Sequence, residues 1–149
     1  MPEMQTEILY NGGRVIDMKE IKFRAWDTKN KEMGVVHILN LDSCFADASF
    51  HNGRTLKGHI GTDLILLEFT GLKDKNGKEI FEGDIVKCDD IIYIIEWRNN
   101  YSKYVMNPIK KEIGKPREID AFNWVTGMGY DNTLIIGNIY EKPKLLNKE

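Results

Sequence analysis

Thr70-Gly-Leu-Lys-Asp-Lys-Asn-Gly-Lys-Glu-Ile-Phe-Glu-Gly-Asp-Ile-Val-Lys87 is the stretch that decides how this chain folds. Thr70-Gly71-Leu72 ends one extended segment. The polar run 73–78 then reverses the chain at Asn76-Gly77, a dipeptide that accepts the positive φ values of a tight hairpin turn. Ile80, Ile85 and Val86 are core residues by type and spacing. Gly83 stands between them, where a Cβ would resist a backbone turn. Lys75–Ile80 followed by Glu82–Val86 has the shape of the diverging turn of small SH3-like barrels, a likeness that implies no ligand.

β signals continue on both sides. Downstream, residues 85–88, 91–98 and 101–106 read as strands, separated by Asp89-Asp90 and Asn99-Asn100. Residues 107–119, with Pro108, Gly114, Pro116 and several charges, read as an exposed loop. Residues 122–125 and 133–140 are expected to close the sheet, and Leu145-Leu146 to form a short terminal turn after Pro143. Upstream, 63–69 is a strongly apolar strand. Ile21, Phe23 and Ala25 alternate with Lys22, Arg24 and Trp26, and 33–39 returns as the second arm of a hairpin. Residues 41–50 read as one or two helical turns or an irregular loop. The expected class is mainly β: a small, partly open β-barrel with an SH3-like core, an N-terminal hairpin and at most one or two short helices.

Composition narrows the function classes. The chain has 149 residues, 42% of them apolar and 30% charged, with a net charge of −2. That suits one globular domain and provides no general positive field toward nucleic acid or an anionic membrane. Apolar runs such as 64–67 and 91–95 have strand length, so no membrane is expected as a partner. Cys44 and Cys88 lack metal-ligand spacing and read as reduced thiols of a cytoplasmic protein. Residues 1–17 differ from the rest, with a breaker at Asn11-Gly12-Gly13. Gly12-Gly13-Arg14 could be purine-rich codons of a ribosome-binding sequence, so Met18 is expected as the natural start. A gene lacking a GGAGG-like run before codon 18 would refute this. The expected organisation is an extension, 1–17, and one β domain, 18–146. Within it, 18–62 is a hairpin and variable region, and 63–146 a barrel-like core.

Three motifs share one resemblance. Residues 70–87, Lys22-Phe-Arg-Ala-Trp-Asp27 and Ile136-Gly-Asn-Ile-Tyr-Glu-Lys-Pro-Lys-Leu-Leu146 are similar to the central signature, opening strand and closing segment of the YopX family of phages and prophages of Gram-positive bacteria. Order and spacing fit from Met18 to Leu146, more loosely at 34–62 and 98–132. The resemblance implies a β-rich fold and a tendency to self-associate. It implies no particular biochemical activity.

Residues able to do chemistry are sparse. No activated-nucleophile motif and no complete phosphate loop occurs; Gly127-Met128-Gly129 reads as a turn. The acid pairs Glu82 with Asp84 and Asp89 with Asp90 read as solvated turn residues, and His51 with His59 is too few ligands for zinc. Trp26, Trp97 and Trp124 read as core or half-buried sheet residues. No catalytic residue, metal or cofactor is therefore expected. The strongest binding pattern is Trp97, Arg98, Tyr101, Lys103 and Tyr104 with Lys110, Lys111, Lys115 and Arg117 downstream. Aromatics interleaved with cations on a β face suit stacked bases and phosphates. The leading expectation is a non-catalytic accessory protein that binds itself and a host or phage protein, presenting 40–62 and 107–119. A single-stranded nucleic-acid binder is the first alternative, and an enzyme of unrecognised type the second.

Overall fold

The computed structural model describes residues 8–10, 14–16, 20–109, 118–126 and 132–147. β1 (Ile8–Tyr10) and β2 (Arg14–Ile16) pair with each other across residues 11–13. Six strands build the first large sheet: β3 (Phe23–Asp27), β4 (Glu32–Asn40), β5 (Phe45–Ser49), β6 (Thr55–His59), β7 (Leu64–Lys73) and β8 (Glu79–Phe81), in the order β6-β5-β4-β3-β7-β8. The second contains β9 (Asp84–Cys88), β10 (Ile91–Arg98), β11 (Lys103–Pro108), β12 (Ile119–Asp120) and, after helix α1 (Ala121–Thr126), β13 (Thr133–Asn138). Its order is β12-β11-β10-β9-β13. A 3₁₀ turn, Pro143–Asn147, follows. The fold is mainly β, and its two antiparallel sheets are not closed into a barrel.

The stretch 70–87 is the crossing between the sheets. β8 bonds back to β7, and β9 leaves for the second sheet. Between them Gly83 takes φ +81°, a left-handed value that costs other residues roughly 1–2 kcal/mol. Its amide donates to the Ile95 carbonyl at 2.8 Å, and its carbonyl accepts from Ile139 N–H at 2.9 Å. Ile80, Ile85 and Val86 are fully buried on either side, each supplying about 2–3 kcal/mol of hydrophobic stabilisation. The two sheets meet at this turn, and β7 lies in the first sheet against β3, from Phe23 opposite Glu68 to Asp27 opposite Leu64.

Local readings are corrected in two places. Residues 45–49 form strand β5, where a helical turn or loop was expected. Ala46 and Ala48 face inward and are almost fully buried, packed with Ala25, Phe50 and Leu64. Gly34 is packed as closely: a Cβ on it would lie 2.7 Å from the Ser49 carbonyl and 2.8 Å from the Phe50 ring. The second correction is α1, expected as a strand. Asp120 Oδ1 accepts the Asn123 amide at 3.1 Å, an N-terminal cap. Ala121 and Val125, one turn apart, are buried at 0% and 1% exposure in the core shared by β7, β8 and the second sheet.

Two apolar cores result. One gathers Ala25, Ala46, Ala48, Phe50 and Leu64 on the inner face of the first sheet. The other packs Ile80, Val86, Tyr93, Ile95 and Met106 with the inner side of α1. Three buried aspartates secure turns and crossings between them. Asp27 accepts the Lys29 and Asn30 amides and the Arg54 guanidinium. Asp74 accepts the Asn76 and Lys78 amides with one oxygen and the Ile135 amide of β13 with the other. Asp84 accepts the Phe81 amide and pairs with Arg24 of the first sheet at 2.6 Å.

Candidate functional site

The aromatic and cationic residues singled out in the sequence lie on the β10–β11 hairpin, but its pleat separates them. Trp97 stands opposite Tyr104, and Arg98 opposite Lys103. Cross-strand partners share a face and successive residues alternate. Trp97 and Tyr104 therefore lie on one face and the two cations on the other. The rings of Trp97 and Tyr104 meet edge to face, with centroids 4.9 Å apart. Tyr101 is exposed in the turn, with Lys103 Nζ 5.4 Å from its ring centroid. Lys110, Lys111, Lys115 and Arg117 lie outside the described residues.

Electrostatics further reduce this surface as a phosphate site. Arg98 bridges Glu96 and Glu118 at 2.8 and 2.6 Å, and Lys103 pairs with Asp120 at 2.9 Å. Two cations thus meet three carboxylates. Lys103 and the Asn123 amide hold the Asp120 carboxyl below its ordinary range. Tyr104 donates its hydroxyl to Glu68 at 2.8 Å. Burial, then the Glu68 bond and charge, push that phenol well above its usual pKa.

Between the sheets lies a seam rich in carboxylates. Glu82 is half-buried, and burial followed by the nearby charges of Glu68 and Glu96 raises its pKa. It borders a cavity of about 270 Å³ with Glu96, Tyr140 and apolar residues including Leu67 and Ile139. Asp84 is 1% exposed, which corrects its reading as a solvated turn residue. Burial raises its carboxyl pKa, while Arg24 and the Phe81 amide pull it down. A wider cleft of about 900 Å³ lies over Trp26 and Tyr140, whose rings are 5.6 Å apart, beside residues 139–145. A family model described as YopX protein matches residues 22–147.

The chain belongs to the YopX family.

All three YopX-like motifs converge on this seam: Arg24 from the opening strand, Glu82 and Asp84 from the signature, and Tyr140 from the closing segment. A crystal structure of protein EF1440 from Enterococcus faecalis is similar to the chain at 31% identity, over 87% of this chain and 99% of that one, with a TM-score of 0.47. No curated protein matches the chain.

Other candidates are dispersed. Among the described residues no three His, Cys, Asp or Glu side chains gather as a metal site. His59 stacks edge-on to Phe45, and His37 bonds Ser49. Cys88 is buried beside Thr133, and burial raises its thiol pKa; Cys44 is exposed. Gly127, Met128 and Gly129 lie outside the described residues. Among the described residues no helix is long and apolar enough to cross a membrane. Sequence reading overlooked the outer side of β4, where Val35 and Ile38 are 55% and 59% exposed, with Leu41 at 73% just beyond. The available signal was the near-continuous apolar run Val35-Val36-His37-Ile38-Leu39, which has too many apolar residues for a strand with one wet face.

Proposed function

We propose that this chain is a non-catalytic accessory protein of a phage or prophage, working in the cytoplasm by binding protein, including copies of itself. The observation that carries this reading is the exposure of Val35, Ile38 and Leu41 within one short stretch of chain, since clustered apolar groups left in solvent mark a contact site. Buried carboxylates support the non-catalytic part. Asp27, Asp74 and Asp84 are all engaged by backbone amides, and Asp27 and Asp84 also by Arg54 and Arg24, so they brace the fold. Light scattering of the full chain at micromolar concentration tests the self-association. A mass above that of one chain is expected, and a strict monomer overturns it.

The nucleic-acid reading draws support from exposed Trp97 and Tyr101 alone, because the described cations beside them already face carboxylates. Weak retention on single-stranded DNA is expected. Tight, salt-sensitive binding that falls on changing Arg98→Ala and Lys103→Ala would replace the protein-binding reading.

A further inference from the structure

The cleft of about 900 Å³ lies between the first sheet and the closing segment. Trp26 is its floor, with the Tyr140 ring beside it, and Ile139, Pro143 and Leu145 form a wall. The face that carries Trp26 runs on into β4, where Met33 stands opposite Trp26 and Val35 opposite Arg24. Ile38 shares that face, because the register shift after Val36 sets it opposite Asp47 as Val35 is set opposite Ser49. Apolar surface therefore extends from the cleft along β4. The wall is also fixed in advance. Asn138 accepts the Tyr140 and Glu141 amides at 3.0 and 2.8 Å, and its carbonyl accepts the Lys142 amide at 3.0 Å. Lys142 and Leu145 pack over Gly137, where a Cβ would lie 2.8 and 3.2 Å from them.

Charge around the cleft is one-sided. Lys31, Lys142 and Lys144 line it, against one acid, Glu141, whose carboxylate already accepts from Asn138. Lys142 donates to the Ile136 carbonyl, and among the described residues none of the three lysines has an ion pair. Elsewhere Lys22, Arg24, Arg54, Arg98 and Lys103 meet carboxylates of this chain.

The geometry points to this cleft as the docking site for an acidic segment of a partner protein, its apolar side chains over Tyr140 and Leu145 and its carboxylates on Lys31, Lys142 and Lys144. Three unpaired cations around an apolar floor are complementary to that chemistry. A stacked base fits less well, because Trp26 is only 6% exposed and the walls are aliphatic. A small anion would leave the apolar strip along β4 uncovered. The fixed wall spares the ordering cost of binding on this side. The inference rests on the protein-binding reading above and names the partner's chemistry.

The test is selection from a display library of short random peptides on the immobilised full chain. Enriched peptides should combine Asp or Glu with Leu, Ile or Phe. Fluorescence anisotropy of the best one should show binding weakened roughly fivefold by Lys31→Asp and by Lys144→Glu, and weakened by salt, as for exposed ion pairs. Aspartate suits position 31 because φ there is +59°, a region that it tolerates. Both positions are exposed, so melting curves should stay native-like. Lys87→Glu, outside the cleft on β9, should leave binding unchanged. In NMR spectra the Trp26 indole signal should shift with peptide. Enrichment of basic or uncharged peptides, full binding by Lys144→Glu, or an unmoved Trp26 signal overturns the inference. So does displacement by an equal concentration of single-stranded oligothymidylate, which makes the cleft a nucleic-acid site. Loss of self-association in the two lysine variants overturns it too, since a second copy is then the occupant. A chain that self-associates in light scattering but enriches no acidic peptide overturns this inference alone; a strict monomer that enriches no peptide overturns the protein-binding reading with it.

Discussion

Asp27→Asn separates a buried ion pair from the shape it occupies. Asp27 is 1% exposed, and its oxygens accept the Lys29 amide at 2.9 Å, the Asn30 amide at 3.0 Å, the Asn30 side chain at 2.8 Å and Arg54 at 2.9 Å. Burial alone would raise its pKa. The hydrogen bonds from Asn30, Arg54 and Lys29 outweigh burial and lower it from 3.8 to about 2. At about 1.4 kcal/mol per pKa unit, the ionised form contributes roughly 2–3 kcal/mol to the folded state. Because the folded pKa is the lower one, that stability is complete above the unfolded value and is lost as pH falls through 3.8 toward 2. An amide keeps the acceptor for the turn but presents N–H groups to Arg54. Urea unfolding followed by tryptophan fluorescence, at several pH values from 7 to 2.5, is the assay. Asp27→Asn should lie about 2 kcal/mol below wild type at pH 7, and the gap should narrow below pH 4. Other groups, including Asp84 with its raised pKa, titrate in both proteins and largely cancel in the difference. A gap that is constant with pH, or under ~0.5 kcal/mol at pH 7, would refute the assignment.

Three further outcomes are expected. Asp74→Ala leaves the Asn76, Lys78 and Ile135 amides without their acceptor and should cost about 3 kcal/mol in urea unfolding, with Asp74→Asn milder. Gly34→Ala drives a methyl into the Ser49 carbonyl and the Phe50 ring; a loss of about 1–3 kcal/mol should appear as a lower melting temperature. In the native protein a thiol reagent at pH 8 should modify exposed Cys44 quickly and buried Cys88 only on unfolding; equal rates would contradict the packing beside Thr133.

The structure also explains how one short signature organises both sheets. β7 and β8 close the edge of the first sheet. Gly83 turns the chain out, and β9 starts the second sheet under the Arg24–Asp84 pair. Asp74 then ties the Asn76-Gly77 turn to Ile135 of β13, 61 residues on from Asp74. Local turn geometry and long-range closure therefore depend on the same few residues, which accounts for the compactness of the stretch 70–87.

By itself the sequence determined what depends on neighbours along the chain. Asn76-Gly77 and Gly83 mark turns because positive φ is a local property, and Gly77 and Gly83 adopt it at +78° and +81°. Alternation located the extended run of β3, and apolar or β-branched runs between turn signals located β7, β9 and β10. Tertiary structure decided everything that needs a distant partner. Ala46 and Ala48 form a strand because pairing with β4 and β6 on both sides and burial in the inner core outweigh their weak β preference. Residues 121–125 become helical because an aspartate cap and a one-sided apolar contact outweigh a short, β-like pattern. Asp84 is buried because Arg24 arrives from the other sheet. Trp97 and Arg98, adjacent in the chain, part company because the pleat sends successive side chains to opposite faces. Ile38 faces solvent for the complementary reason: one extra residue in β4 changes the register, and which way a side chain points is set by pairing across strands.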